Sequence, residues 1–195
     1  NNEQRHPTHP LAPSLLRKEG ERKAKLIFIN TQNAQRITLN TLRMPLKIGS
    51  KAPAFSGIDQ DRNKITLASL AGQKVALYFY PQDSTPTCTV QACNLRDGFR
   101  DLKKAGITVI GVSPDDAKSH TKFIAKQKLP FPLIADTDRK IIEKYGVWAE
   151  KQMFGNKYMG VLRTTFLIDE NGKLVDVISK PKVKEHAKEI MEKFN

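Results

Sequence analysis

The stretch Lys74-Val75-Ala76-Leu77-Tyr78-Phe79-Tyr80 is a nearly continuous apolar run of strand length. A strand covered on both faces has this pattern, whereas a half-exposed strand alternates. It runs directly into Pro81-Gln82-Asp83-Ser84-Thr85-Pro86-Thr87-Cys88-Thr89-Val90-Gln91-Ala92-Cys93. Two prolines there end the strand and impose a loop. Residues 88–104 then follow helical spacing, with Ala92, Leu95, Phe99 and Leu102 on one side and Gly106 as the stop signal. A buried strand, a Pro-bounded turn and a helix carrying a cysteine near its first turn point to an α/β fold.

The same alternation continues outward. Residues 107–112 read as a second buried strand and 117–128 as an amphipathic helix ending before Pro130. A short strand at 133–135 and a short helix at 139–145, closed by Gly146, come next. Residues 163–169 and 174–178 read as two strands joined by the hairpin signal Asn171-Gly172, and 183–194 as the last helix. Upstream, 63–67 is expected to be a short strand and 69–73 a loop. The whole predicts a central mixed β-sheet with helices on both faces.

Residues 1–43 read differently. They are polar, carry Pro7, Pro10 and Pro13, and include a charge run at 17–25. With so little apolar surface to offset ordering entropy, this segment is expected to be a flexible N-terminal extension outside the fold. The folded domain is expected over 44–195, with Met44, the first methionine, as a candidate natural start.

Composition limits the function classes. The chain has 195 residues, 39% hydrophobic and 27% charged, which suits a globular core. No apolar run is long enough for a membrane-spanning helix, and no secretory signal is recognisable. Thirty-three Lys+Arg against 20 Asp+Glu leave a net charge of +13. Eight of those bases, against three acids, lie in 1–43. The rest are scattered, without an RNP-like strand, finger spacing or long basic helix, so no dedicated nucleic-acid site is expected. Two cysteines are too few for a disulfide scaffold. His6, His9, His120 and His186 show no ligand-like clustering with them, so no metal is expected.

The cysteines carry the chemistry. At a helix N-terminus, free backbone N–H groups and the positive end of the helix dipole favour a thiolate at Cys88. The alternative is a small buried hydrophobe; the polar Thr, Pro and Asp neighbours of Cys88 argue against deep apolar burial. Thr85, three residues earlier, could offer its hydroxyl to the sulfur or to an incoming oxygen, or serve only as a helix cap. Cys93 lies five residues on. On a continuous α-helix their Cα atoms would stand ~8.7 Å apart with side chains diverging by ~140°. A disulfide needs Cα atoms within about 6.8 Å, so pairing during turnover requires the helix to unwind. Otherwise Cys93 merely packs.

These residues resemble a peroxiredoxin of the bacterioferritin-comigratory-protein or Q type. The likeness runs through most of 44–195. It includes Gly49-Ser50-Lys51-Ala52-Pro53-Ala54-Phe55, the pattern Pro81, Thr85, Cys88 with Cys93 beyond it, Phe131-Pro132-Leu133-Ile134-Ala135-Asp136, and Arg163-Thr164-Thr165-Phe166-Leu167-Ile168-Asp169. The resemblance implies a thioredoxin-like fold and reduction of hydrogen peroxide and organic hydroperoxides without a cofactor. It implies Cys88 as the peroxidatic cysteine, passing through a sulfenic acid, and Cys93 as the resolving one. Thr85, Pro81 and Arg163 would complete the site; local spacing alone would leave Arg163 in a surface salt bridge. Thioredoxin or a similar dithiol would recycle the disulfide, and a cytoplasmic monomer is the expected form. Thr87 departs from the glycine common in this type. No Gly-Gly-Leu-Gly or C-terminal Tyr-Phe segment is present, which implies resistance to overoxidation. Two other readings stay open: a thiol–disulfide oxidoreductase, which usually relies on a Cys-x-x-Cys spacing absent here, and a basic redox-switch binding protein.

Overall fold

The computed structural model describes residues 46–153 and 155–194, so the expected extension at 1–43 and the start at Met44 lie outside the described residues. Strands β1 (Ser56–Ile58) and β2 (Lys64–Thr66) form a small antiparallel pair. A five-stranded sheet follows, built from β3 (Lys74–Phe79), β4 (Ile107–Ser113), β5 (Leu133–Ala135), β8 (Thr164–Ile168) and β9 (Leu174–Ile178). Its spatial order is β5-β4-β3-β8-β9. The first three run parallel, β8 pairs antiparallel with β3, and β9 pairs antiparallel with β8 and so returns to the direction of the first three. Helices α1 (Pro86–Asp97), α2 (Phe99–Lys104), α3 (Ala117–Gln127), α4 (Lys140–Lys144) and α5 (His186–Phe194) complete the fold, with a second hairpin of β6 (Trp148–Met153) and β7 (Asn156–Val161).

Strand β3 is the centre, and its alternation explains its sequence. Ala76, Tyr78 and then Tyr80 face one hydrophobic cluster, shared with Ala92 and Leu95 of α1, Leu102 of α2, Phe123 of α3 and Ile190 of α5. Val75, Leu77 and Phe79 face the other, with Phe55, Ile141, Ile142 and Tyr145. From Val75 onward both faces of the strand are buried, so each of those positions is apolar or aromatic. Each such large side chain contributes about 1.5–3 kcal/mol by leaving water.

Two differences from the expected elements have physical causes. The single helix expected over 88–104 is two, broken at Gly98, because α5 packs there: a Cβ on Gly98 would lie 2.4 Å from the Ala187 Cβ. The β6–β7 hairpin was not expected at all. Its sequence is polar, and Tyr158 and Met159 stay exposed, so it shows no clean period.

Candidate active site

Strand β3 ends at Phe79, and the chain crosses residues 80–85 before entering α1. The crossing is tied to the domain through Asp83. Its Oδ1 accepts from the Tyr80 hydroxyl at 2.7 Å, and its Oδ2 accepts from Ser119 Oγ at 2.7 Å and faces His120 Nδ1 at 2.8 Å. The Asp83 backbone N–H donates to Asp115 Oδ2 at 2.9 Å. Burial pushes the Asp83 carboxyl up, but the His120 hydrogen bond and charge, with Tyr80 and Ser119, outweigh it and hold the group below its usual range. Ser84 follows in the left-handed region at φ 58°, a strain of order 1–3 kcal/mol that the surrounding bonds sustain.

Thr85 occupies the N-cap of α1 in extended conformation, with Pro86 at the first helical position. Its hydroxyl makes no capping bond and instead donates to the Gln82 carbonyl at 3.1 Å. The first helical hydrogen bond runs from Thr89 N–H to Thr85 O at 2.9 Å, so the Cys88 N–H lies ahead of the ladder. Pro81 is half-buried at the start of the same crossing.

Arg163 comes from the far side of the chain. It immediately precedes β8, whose antiparallel pairing with β3 sets Thr164 opposite Phe79. That register delivers the guanidinium to the end of β3, where α1 begins. Arg163 Nη2 lies 3.1 Å from Cys88 Sγ, and Nη1 donates to Gln91 Oε1. A planar fork therefore grips the sulfur and, one turn later, the amide of the same helix.

Cys88 is only 2% exposed and belongs to the hydrophobic cluster of α1. This corrects the expectation that its polar neighbours keep it from apolar burial: the first turn of α1 presses the thiol inward, and distant residues supply the apolar wall. Among the described residues two buried side-chain atoms lack a hydrogen-bond partner, Gln91 Nε2 and Tyr78 Oη. Burial raises the Tyr78 hydroxyl well above its ordinary range, Asp83 and Cys88 add to this, and Arg163 opposes it.

Cys93 sits on the same unbroken helix, half-buried, its Sγ 3.5 Å from Gln127 Oε1 at the end of α3. Both cysteines are free. Helical spacing keeps them roughly 8.7 Å apart at Cα, beyond disulfide reach. The structure therefore brings Cys88 and Arg163 together, sets Thr85 and Pro81 on the adjoining loop, and holds Cys93 away.

Sequence reasoning missed Gln91, whose place three residues after Cys88 on one helix face was a usable signal. It also missed the pairing of Asp83 with His120, which no local pattern announces. Among the described residues no group of His, Cys, Asp and Glu could hold a metal ion, and no helix is long and apolar enough to cross a membrane.

Comparison with known proteins gives the family. Residues 48–177 match the AhpC/TSA family. A putative peroxiredoxin bcp of Coxiella burnetii is 46% identical over 148 residues, covering 76% of this chain and 98% of the relative. Peroxiredoxin Bcp of Escherichia coli K12 is 46% identical over 142 residues, 73% of this chain and 91% of the relative. Among solved structures, a cysteine-to-serine variant of Xylella fastidiosa PrxQ superposes with a TM-score of 0.72 at 31% identity, covering 76% and 95% of the two chains. The bacterioferritin comigratory protein of Xanthomonas campestris, studied for alkyl peroxide reduction, gives 0.67 at 36% identity, covering 71% and 88%.

Proposed function

Because the chain belongs to the AhpC/TSA family and is a peroxiredoxin of the Bcp type, we propose that its peroxidase chemistry runs through Cys88 and is completed by Cys93. The Cys88 thiolate attacks one peroxide oxygen. An S–O bond forms, the O–O bond breaks, and water or an alcohol leaves after taking a proton. The sulfur becomes a sulfenic acid, oxidised by two electrons as the peroxide is reduced. The single observation that carries this reading is the 3.1 Å contact of Arg163 with the Cys88 sulfur. A permanent cation there stabilises the thiolate and the charge moving onto the peroxide oxygens. The Cys88 N–H, outside the helical ladder, is a second donor for that oxygen. Pro81 and Thr85 border the approach.

Cys93 then condenses with the sulfenic acid. An S–S bond forms, the S–O bond breaks, and the oxygen leaves as water. The free thiols on an intact α1 support a cycle in which the helix unwinds before this step. An external dithiol, thioredoxin in this proposal, reduces the disulfide by exchange. A monomer in the cytoplasm, where such reductant is supplied, completes the reading.

The test couples peroxide consumption to a thioredoxin system. The native chain should turn over with hydrogen peroxide and an alkyl hydroperoxide, and Cys88→Ser should not. Cys93→Ser should complete one oxidation and then stall. Full recycling of Cys93→Ser by thioredoxin alone sinks the resolving role.

A further inference from the structure

The two halves of α1 are held very differently. In the first half, Thr85 gives no side-chain cap, and Val90 is 41% exposed. Its polar anchor is Arg163, through Cys88 Sγ and Gln91 Oε1. The second half is bolted to two other helices. Asn94 Nδ2 donates to Lys184 O at 2.7 Å, and Asn94 Oδ1 accepts from Ala187 N–H at 2.9 Å, at the start of α5. Gly98 packs directly on Ala187. Towards α3, both Cys93 and Arg96 hold the same residue. Cys93 Sγ meets Gln127 Oε1 at 3.5 Å, and Arg96 Nη1 donates to Gln127 O at 2.7 Å. Gln127 is itself fixed, since Lys128 caps α3 in the left-handed conformation.

Arg96 also bears on the sulfur. Its guanidinium is braced by Asp97 at 2.8 Å and is one third exposed. Asp97 first, and then the Cys93 sulfur, favour its charged form, against the opposing effect of burial.

We propose that Arg96 and Gln127 are positioning residues for resolution, holding Cys93 as a fixed platform, so that Cys88 travels to Cys93 rather than the reverse. The inference rests on Cys93 being the resolving cysteine. Conversion of the Cys88 thiolate to a neutral sulfenic acid removes the charge that Arg163 grips, and so weakens the polar anchor of the first half of α1, leaving the packing of Cys88, Gln91 and Ala92 to hold it. Cys93 stays beside Gln127, so the travelling sulfenic acid meets a sulfur already held in place.

The experiment follows both steps separately, by rapid mixing with peroxide, alkylation quench and mass analysis. In Arg96→Ala, Cys88 oxidation should stay within about two-fold of the native rate while disulfide formation slows roughly tenfold or more. Arg96→Lys should recover part of the rate, because it keeps charge but not the fork. Gln127→Leu should slow the same step and leave oxidation alone. Hydrogen exchange on the disulfide form of the unaltered chain, which needs no variant, should show protection lost at amides 89–96, whose acceptor carbonyls lie in the unwound turns, and kept at 97 and 98, which bond to Cys93 and Asn94.

Disulfide formation that is unchanged or faster in Arg96→Ala overturns the proposal, since the contact would then be a bystander or a brake. Loss of protection at 97 and 98 as well overturns it. If the native chain forms no Cys88–Cys93 disulfide, the resolving role itself fails and takes this inference with it. Normal pairing with an indifferent Arg96 rejects the inference alone.

Discussion

Replacing Arg163 with alanine removes the hydrogen bond to Cys88 Sγ, 3.1 Å long, and the donor to Gln91 Oε1. A hydrogen bond to a charged group contributes about 1.5–3 kcal/mol. If that contact is kept or strengthened as charge moves onto the peroxide, its loss slows the reaction by roughly 10- to 150-fold. A stability effect accompanies it, because Gln91 is fully buried and loses its partner. Leaving that group unsatisfied costs about 1–3 kcal/mol. For a chain of this size each kcal/mol lowers Tm by about 2–4 °C, so the variant stays folded at 25 °C. Arg163→Lys should fall between the two, since a single ammonium cannot serve the sulfur and the amide with one planar fork. The assay is single-turnover stopped flow with reduced protein and hydrogen peroxide, with circular dichroism to verify the fold. A folded Arg163→Ala that reacts within about two-fold of the native rate refutes the claim that this guanidinium acts on the reacting sulfur.

Two further outcomes are expected. The Asp83 carboxyl is held below its usual range in the folded chain, so its stabilisation is present above the unfolded value of about 3.9 and is lost as pH falls through the folded one. Asp83→Asn disturbs the buried hydrogen bonds with Tyr80, Ser119 and His120 and should cost about 1–3 kcal/mol at neutral pH. By chemical denaturation the gap from the native chain should narrow below about pH 4, and a gap that does not change with pH contradicts the assignment. Gly98→Ala places a Cβ 2.4 Å from the Ala187 Cβ, pushing α1 from α5. Overpacking of this kind costs about 1–3 kcal/mol, more than the helix-propensity gain of roughly 0.8–1 kcal/mol; an unchanged or higher Tm shows that α5 yields freely.

What the sequence disclosed followed the range of its signals. The two-faced burial of β3 is written in consecutive apolar residues, and the turn into α1 in two prolines, so the helix bearing Cys88 was legible. The impossibility of a disulfide on that helix needed only the five-residue spacing. Arg163 was not readable locally: it meets Cys88 across 75 residues through the β3–β8 register, and only the resemblance pointed to it. The burial of Cys88 was misjudged for the same reason, since its sequence neighbours are polar while its spatial neighbours come from other elements. Asp83 and His120 pair across 37 residues without a local pattern. Thr85 was legible as to place but not as to bonding, because its hydroxyl turns back to Gln82.

The most direct measurement oxidises the reduced native chain with one equivalent of hydrogen peroxide and maps both thiols by mass. The account predicts loss of two hydrogens and a linked pair of peptides carrying Cys88 and Cys93, with no oxidation in Cys88→Ser. Peroxide consumption that persists in Cys88→Ser, or a Cys88 that stays reduced in the native chain, contradicts it.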